Sequence, residues 1–358
     1  MRSRWKTCGL FVKLRTRCSA DYHKRVRASV VGNLARECGF ELSGVTPAVA
    51  VEPDAAQFLS WASRGFAGRV GYLTDHRAHL RTDPRNLLAS ARSIICLGRL
   101  YNTPDPGPVA RYARTEDYHD VLRRDAAALV EKLRAEFGEF DHRICIDTAP
   151  LLERSYARMA GLGWIGRNTC LINQELGSYV FLAEILVSLE IEPGAPAADR
   201  CGTCTRCIDA CPTEAIISGG LRTELDATRC ISYFTIELKG DIPEQHRANI
   251  GTLAFGCDIC QDVCPWNRRA PLGEFPAESP GLEALAEMTP DQFRAAFRGT
   301  PVWRTKYSGM LRNVAVAIGN SRDPNLRPAL ERLAGSEDAT IRSHAEWALE
   351  RWDQETSA

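Results

Sequence analysis

Apolar residues recur at two different periods along this chain, and the switches between them lay out its elements. Val26, Val30, Leu34 and Cys38 fall at helical spacing and Gly39 closes the segment, so the first folded domain begins near Tyr22 with a helix. Val45 to Val51 reads as a strand. Residues 54–64 read as a second helix, broken at Gly65 and Gly68, and Arg81 to Arg85 as a turn into a short helix around Leu87 and Leu88. Ser93 to Leu100 is a short apolar run bounded by turn residues, which predicts a buried strand. A proline-rich loop, 102–108, precedes a long amphipathic helix from Tyr118 to Phe137 and a strand from His142 to Ile146. Asp147 stands at the end of that strand, ahead of a helix expected from about Pro150 to Met159. Strands alternating with helices predict an α/β domain over 22–192 with a mixed or parallel sheet.

Glu192 to Asp199 is a linker of small residues and prolines. A cysteine-rich segment occupies 193–270, and a second loop runs from Pro271 to Pro280. From there on the pattern is helical only, at about 281–287, 290–297, 307–319, 324–334 and 338–351. Leu311, Val314, Ala315 and Ile318 mark one buried face, and Ile341, Ala345, Ala348 and Leu349 another. Two antiparallel helix pairs of this length predict a small HEAT-like stack over 280–352. The fold class expected is therefore α+β and multidomain.

Composition narrows what such a chain does. Its 358 residues carry a formal net charge of zero, so any attraction to nucleic acid has to come from a local patch. No apolar run approaches the roughly 18–20 residues of a membrane span, and the most apolar stretch, Tyr179 to Leu189, carries Glu184. The opening residues, 1–21, are basic and lack the apolar middle of a signal peptide, so they are expected to be a disordered extension of a cytoplasmic protein.

Fourteen cysteines alter the picture most. Cys201-x₂-Cys204-x₂-Cys207-x₃-Cys211-Pro212 is the bacterial ferredoxin run, in which three cysteines bind one iron–sulfur cluster and the fourth its neighbour. Cys257-x₂-Cys260-x₃-Cys264-Pro265 repeats its tail without the first cysteine, and Cys230 is the obvious replacement. Eight thiolates suffice for two [4Fe–4S] sites, one held by Cys201, Cys204, Cys207 and Cys264, the other by Cys211, Cys230, Cys257 and Cys260. Zinc ribbons pair two C-x₂-C knuckles across a loop and use no fourth cysteine followed by proline. The other six cysteines are scattered, as free thiols in a reducing compartment are.

Gly161-Leu-Gly163-Trp-Ile-Gly166 spells G-x-G-x-x-G, but it follows a helix and leads into the extended stretch Thr169 to Asn173. A dinucleotide fingerprint has the reverse order. These glycines are expected to let the backbone pass close to something flat and bulky.

Several longer stretches identify a family. Arg111-Tyr-Ala-Arg-Thr-Glu-Asp-Tyr118-His119-Asp120, Asp147-Thr-Ala-Pro-Leu-Leu-Glu-Arg154 and Gly161-Leu-Gly-Trp164-Ile-Gly-Arg-Asn168-Thr resemble epoxyqueuosine reductases. So do Cys230-Ile-Ser232-Tyr-Phe-Thr-Ile-Glu237, the cysteine pattern and Leu311-Arg312-Asn313-Val-Ala-Val-Ala-Ile-Gly-Asn320. The match runs in unbroken order from about residue 24 to 350; the departures are the basic extension and minor changes such as Phe234.

The resemblance implies a cobalamin in the α/β domain, with Asp147, Arg154, Trp164, Asn168 and Ser232 around it, and two clusters beside it. It also implies a tRNA substrate carrying epoxyqueuosine at the wobble position, a monomeric enzyme and a separate electron donor. A helical domain would help to hold the tRNA through Lys306 and Arg312. A D-x-H-x-x-G motif is missing, since Leu122 stands where glycine should follow Asp117 and His119, so cobalamin is expected without a histidine on the metal.

Reducing an epoxide to an alkene takes two electrons and two protons and releases water. Asp147 is the expected proton donor, which requires its pKa to be raised by burial. Helix capping by Asp147 and Thr148 is the competing account. Tyr118 and His119 are pocket or substrate candidates, though a structural role suits a histidine at a helix start equally. Arg304, Lys306, Tyr307 and Arg312, basic and partly aromatic, mark a phosphate-contacting face or an ordinary solvated one. A reductive dehalogenase and a two-cluster electron-transfer module are the other functions this pattern allows.

Overall fold

The computed structural model describes residues 26–104, 106–218, 223–274 and 278–356; the basic extension lies outside them. Its centre is a four-stranded sheet in the order β1 (Leu42–Pro47), β2 (Ser93–Leu100), β6 (Val180–Val187), β3 (His142–Cys145). The short strands β4 (Trp164–Ile165) and β5 (Leu171–Ile172) pair with each other as a hairpin of their own.

Every pairing in the sheet is antiparallel, which corrects the expectation of a mixed or parallel one. The expectation took alternating helices for crossovers. Here the excursion between β1 and β2 leaves and returns at one end of the sheet, since Pro47 pairs with Ser93. The same holds between β2 and β6, where Leu100 pairs with Val180. The near-continuous burial of β2 and β6 follows from helices on both faces rather than from parallel pairing.

One face of the sheet packs on the helices Ala28–Glu37 and Tyr118–Phe137, burying Val31, Leu122, Leu129 and Leu133 against Ile95, Leu97 and Ile185. The other face packs on the helix Glu153–Met159, with Tyr156 and Ala157 against Ile94, Cys96, Cys145 and Leu186. Each of these fully buried aliphatic side chains stabilises the fold by about 1.5–3 kcal/mol.

Arg111 fastens the sheet domain to the cysteine-rich segment. Its guanidinium is buried and reaches Asp258 at 3.2 Å and Asp262 at 2.7 Å, two residues before and two after Cys260. The C-terminal helices Leu282–Glu287, Pro290–Phe297, Lys306–Ser321, Arg327–Ala334 and Ala339–Thr356 share one core with Val109, Ala113, Ile236, Ala254 and Phe255. Pro290 occupies the first turn behind a capping box of Thr289 and Gln292. Lys306–Ser321 and Ala339–Thr356 cross closely at Gly319, where a Cβ would come within 2.5 Å of Ala348.

Arg312 is not on the surface, which corrects its assignment to tRNA. It is 1% exposed. Nη1 donates to the carbonyls of Leu238 and Gly240 at 2.9 and 2.6 Å, Nη2 to Phe234 at 2.7 Å, and Nε and Nη2 to Asn313 Oδ1 at 3.0 and 2.7 Å. A guanidinium has five N–H donors, and these five bonds use them all. Burial pulls its pKa down to about 10, so it remains a cation tied to backbone and closed to phosphate.

Candidate active site

A cleft of about 770 Å³ opens between the sheet domain and the cysteine-rich segment. Phe58, Trp61 and Tyr72 line one wall, Trp164 to Arg167 another, and Asp147, Glu153 and Arg154 lie at its base. The Trp61 wall is anchored across the cleft mouth by its indole N–H, which donates to Leu225 O at 2.6 Å. Sequence reasoning gave no role to residues 54–73, because aromatic residues on a helix read equally well as core.

Asp147 has φ 44 and lies two residues beyond the end of β3. The next helix begins six residues later at Glu153, with Leu152 at its cap position, so the helix-capping account fails. Tyr118 Oη donates to Asp147 Oδ2 at 2.8 Å, and His119 Nε2 lies 3.1 Å from the same oxygen. The other ring nitrogen of His119 lies 2.7 Å from Asp117 Oδ1, which also caps the Tyr118–Phe137 helix by accepting the His119 N–H. One helix start thus aims two side chains at Asp147. Stacking of Tyr118 on His119 at 4.1 Å and on Phe181 at 4.6 Å fixes their planes.

The electrostatics differ from the expectation of a raised Asp147. Burial raises its carboxyl, but the hydrogen bonds from His119 and Tyr118 and the charges of His119 and Arg304 outweigh that and bring it below the ordinary value. His119 moves the opposite way: burial lowers it, yet Asp147 and Asp117 together raise it. Both shifts favour the carboxylate at Asp147 and the proton on His119. Glu153 differs from Asp147, since burial and then the charge of Asp147 push it up to about 8. Sequence reasoning missed Glu153 and placed Arg304 on the tRNA face. Arg304 instead pairs with Glu237 at 2.9 Å and stacks on Tyr72.

Of the residues expected around a cofactor, Asp147, Arg154 and Trp164 line the cleft. Arg154 donates to the carbonyl of Thr169, itself at φ 63, and the Trp164 indole N–H is buried with no partner. Asn168 and Ser232 sit elsewhere. Asn168 is buried and donates to Cys260 O at 3.3 Å, and Ser232 hydrogen-bonds the Cys230 sulfur. The glycine motif also departs from expectation. A Cβ on Gly163 would meet Ile172 O at 2.2 Å and one on Gly166 the Ile172 side chain at 2.4 Å, so these glycines serve the β4–β5 hairpin itself.

Several motif cysteines neighbour one another, though among the described residues no three of them stand close enough together to hold a metal ion. Burial pushes Cys207 up to about 11, with Cys201, Cys264 and Cys204 adding to it as neighbours. Burial pushes Cys257 up to about 12, with Cys230 and Cys211 adding to it. A hydrogen bond donated to Cys170 raises Cys260, which Cys257 and Cys230 also face. The backbone after Cys230 runs through a π-helical turn, Tyr233–Glu237, whose carbonyls face Arg312 and Asn313.

Comparison with known proteins decides among the functions this geometry allows. Residues 200–267 match the 4Fe-4S double cluster binding domain, and residues 81–148 match the family model for epoxyqueuosine reductase QueG. An epoxyqueuosine reductase of Xanthomonas campestris is 39% identical over 345 residues, covering 90% of this chain and 95% of its own. The chain belongs to the epoxyqueuosine reductase family. A crystal structure of epoxyqueuosine reductase with an epoxyqueuosine-modified tRNA-Tyr stem loop superposes with a TM-score of 0.80 at 29% identity, covering 90% of this chain and 89% of that one. A Bacillus subtilis relative, described with its catalytic aspartate loop swung out of the active site, gives 0.77 at 28% identity, with 90% of each chain covered. Among the described residues no helix is long and apolar enough to cross a membrane.

Proposed function

We propose that this protein reduces epoxyqueuosine to queuosine at the wobble position of tRNA, in the cytoplasm and as a monomer fed by a separate electron donor. The observation that carries the reading is the pairing of Asp147, which lines the cleft, with Tyr118 and His119. Cys201, Cys204, Cys207 and Cys264 hold one [4Fe–4S] cluster, and Cys211, Cys230, Cys257 and Cys260 the other. Asn168, between the cleft-lining Arg167 and Thr169, donates to Cys260 O.

The cleft suits cobalamin. Its aromatic walls, Arg154 and the unpartnered Trp164 N–H fit a large macrocycle edged with amides, and no histidine is among the described residues that line it. A bound cobalamin supplies a low-valent metal centre that couples one-electron delivery to two-electron chemistry. Asp147, Arg154 and Trp164 are the residues that would hold it.

The protein's own part is proton supply. As the first C–O bond of the epoxide opens, His119 gives its proton to Asp147 through the 3.1 Å contact and Asp147 passes it to the resulting alkoxide. Loss of the second C–O bond, with the C=C bond forming, consumes the second proton and releases water. Two electrons and two protons balance the step. Tyr118 holds Asp147 Oδ2 in register meanwhile.

Lys239 and Lys306 are exposed near Arg304, above the cleft, and replace the buried Arg312 as phosphate contacts. Lys306→Ala is expected to lower the slope of log affinity for tRNA against log salt by about one unit. A slope equal to the wild type in a filter-binding titration would make Lys306 an ordinary solvated side chain.

The direct test is anaerobic reconstitution with iron, sulfide and cobalamin, then single turnover on epoxyqueuosine-tRNA with the nucleosides resolved by mass. Queuosine is expected only when both clusters and cobalamin are present. Conversion by protein free of cobalamin, or none by fully loaded protein, overturns the proposal.

A further inference from the structure

The turn that carries Asp147 is held in place by a carboxyl that the proton transfers do not use. At φ 44 Asp147 lies in the left-handed region, which a residue other than glycine keeps only where its surroundings enforce it. The other hydrogen bonds of this turn, Ala149 N to Ile146 O at 3.3 Å and Leu151 N to Ala149 O at 2.8 Å, leave the Asp147 amide out. That N–H donates instead to Glu153 Oε1.

Glu153 is well placed to impose a conformation. It is the first residue of a helix whose Ser155, Tyr156 and Ala157 are buried against the sheet. Tyr156 also donates to Val49 O at 3.1 Å, which fixes the helix at a second point. The carboxyl therefore reaches back from a rigid element to the strained one. Beneath it, both carboxyl oxygens of Glu184 on β6 are buried with no hydrogen-bond partner. Burial, with Glu153 as the neighbouring charge, holds Glu184 well above its ordinary value. Glu153, pushed up to about 8 by burial and by Asp147, is likewise neutral at pH 7. A neutral carboxyl keeps an acceptor oxygen, as does the amide of glutamine.

We propose that Glu153 is the positioning residue for the proton donor: by accepting the Asp147 amide hydrogen it locks that residue into the left-handed turn that directs its carboxylate to Tyr118, His119 and the cleft. The proposal rests on the reading of Asp147 as the donor. What it adds is that the aspartate works only while a second carboxyl, on the first residue of the next helix, holds its backbone.

The test compares Glu153→Gln with Glu153→Ala and the size-matched Glu153→Met in holoenzyme carrying both clusters and cobalamin. Two variants without the acceptor are used so that poor folding of one leaves the other to decide. Hydrogen exchange at the Asp147 amide is expected to match the wild type in Glu153→Gln and to accelerate in Glu153→Ala and Glu153→Met. Single-turnover rates should follow: within about threefold of wild type for glutamine, and down by up to about 10²-fold without the acceptor, the scale of loss when a reacting group is misplaced by an ångström. Affinity for tRNA should not change in any of them. Unchanged exchange in both acceptor-free variants overturns the proposal. So does a glutamine variant as impaired as alanine, since the carboxyl's proton or charge would then matter rather than its acceptor oxygen. An active Asp147→Asn enzyme would remove the donor reading instead, and the exchange comparison would stand apart from it.

Discussion

Arg312→Ala is expected to destabilise the protein by about 3–5 kcal/mol and to leave tRNA affinity unchanged in the fraction that folds. The guanidinium is 1% exposed and closes five hydrogen bonds, three of them to the carbonyls of Phe234, Leu238 and Gly240. Alanine leaves those carbonyls without their donor, and each buried acceptor left unmade costs about 1–3 kcal/mol before relaxation. The loss falls on one particular segment. Asn313, the residue Arg312 also braces, donates to Thr235 O and Ala254 O at 2.8 Å each. Both residues therefore hold the turn that follows Cys230, and the second cluster should become labile first. Lysine cannot reproduce a planar five-donor fork, so Arg312→Lys should recover only part of the stability. Urea denaturation, with iron counted per chain before and after mild heating, checks this. A variant with wild-type stability and weakened tRNA binding would return Arg312 to the surface role that its sequence neighbours Arg304 and Lys306 suggested.

That misplacement illustrates what a single sequence hides. Helix extents were legible wherever an apolar stripe ran between clear caps: the Tyr118–Phe137 helix and the Ser93–Leu100 strand have the bounds that periodicity predicts. The cysteine spacing announced two clusters because the chemistry demands four thiolates at each. Sheet direction was not legible. Helices between strands look alike whether the chain crosses the sheet or returns to the same end, and only the pairing of Pro47 with Ser93 and Leu100 with Val180 distinguishes them. Arg312 and Arg304 look alike for the same reason: a cation on an amphipathic helix can bind phosphate, backbone carbonyls or a carboxylate, and the partner lies some 70 residues away for both. Asp147 was legible as a residue but not as an electrostatic state. Its expected protonation assumed burial alone, whereas two residues at the start of a distant helix supply the hydrogen bonds that outweigh it.

Asp147→Asn should keep both clusters, cobalamin and tRNA affinity and still lose about 10²–10⁴-fold in the rate of epoxyqueuosine reduction, the range for removal of a general acid. Asparagine suits the comparison. It tolerates the left-handed conformation at φ 44 at least as well as aspartate, and its carbonyl oxygen can still accept from Tyr118. Backbone geometry and the hold of Glu153 on the amide should therefore survive. What disappears is the carboxylate that keeps His119 protonated. The raised His119 owes its shift, once burial is overcome, first to Asp147 and then to Asp117. With asparagine only Asp117 remains, so the imidazole should titrate lower and hold less of the proton at neutral pH. Lowering the assay pH should then recover part of the variant's rate if His119 can donate directly. It should recover none if Asp147 is the obligatory last carrier. Single-turnover rates for pre-reduced wild-type and variant enzyme across a pH series measure both effects. A variant rate within about threefold of wild type throughout, well short of what general acid catalysis contributes, would remove Asp147 from the proton path and leave Tyr118 and His119 as the groups that face the leaving oxygen.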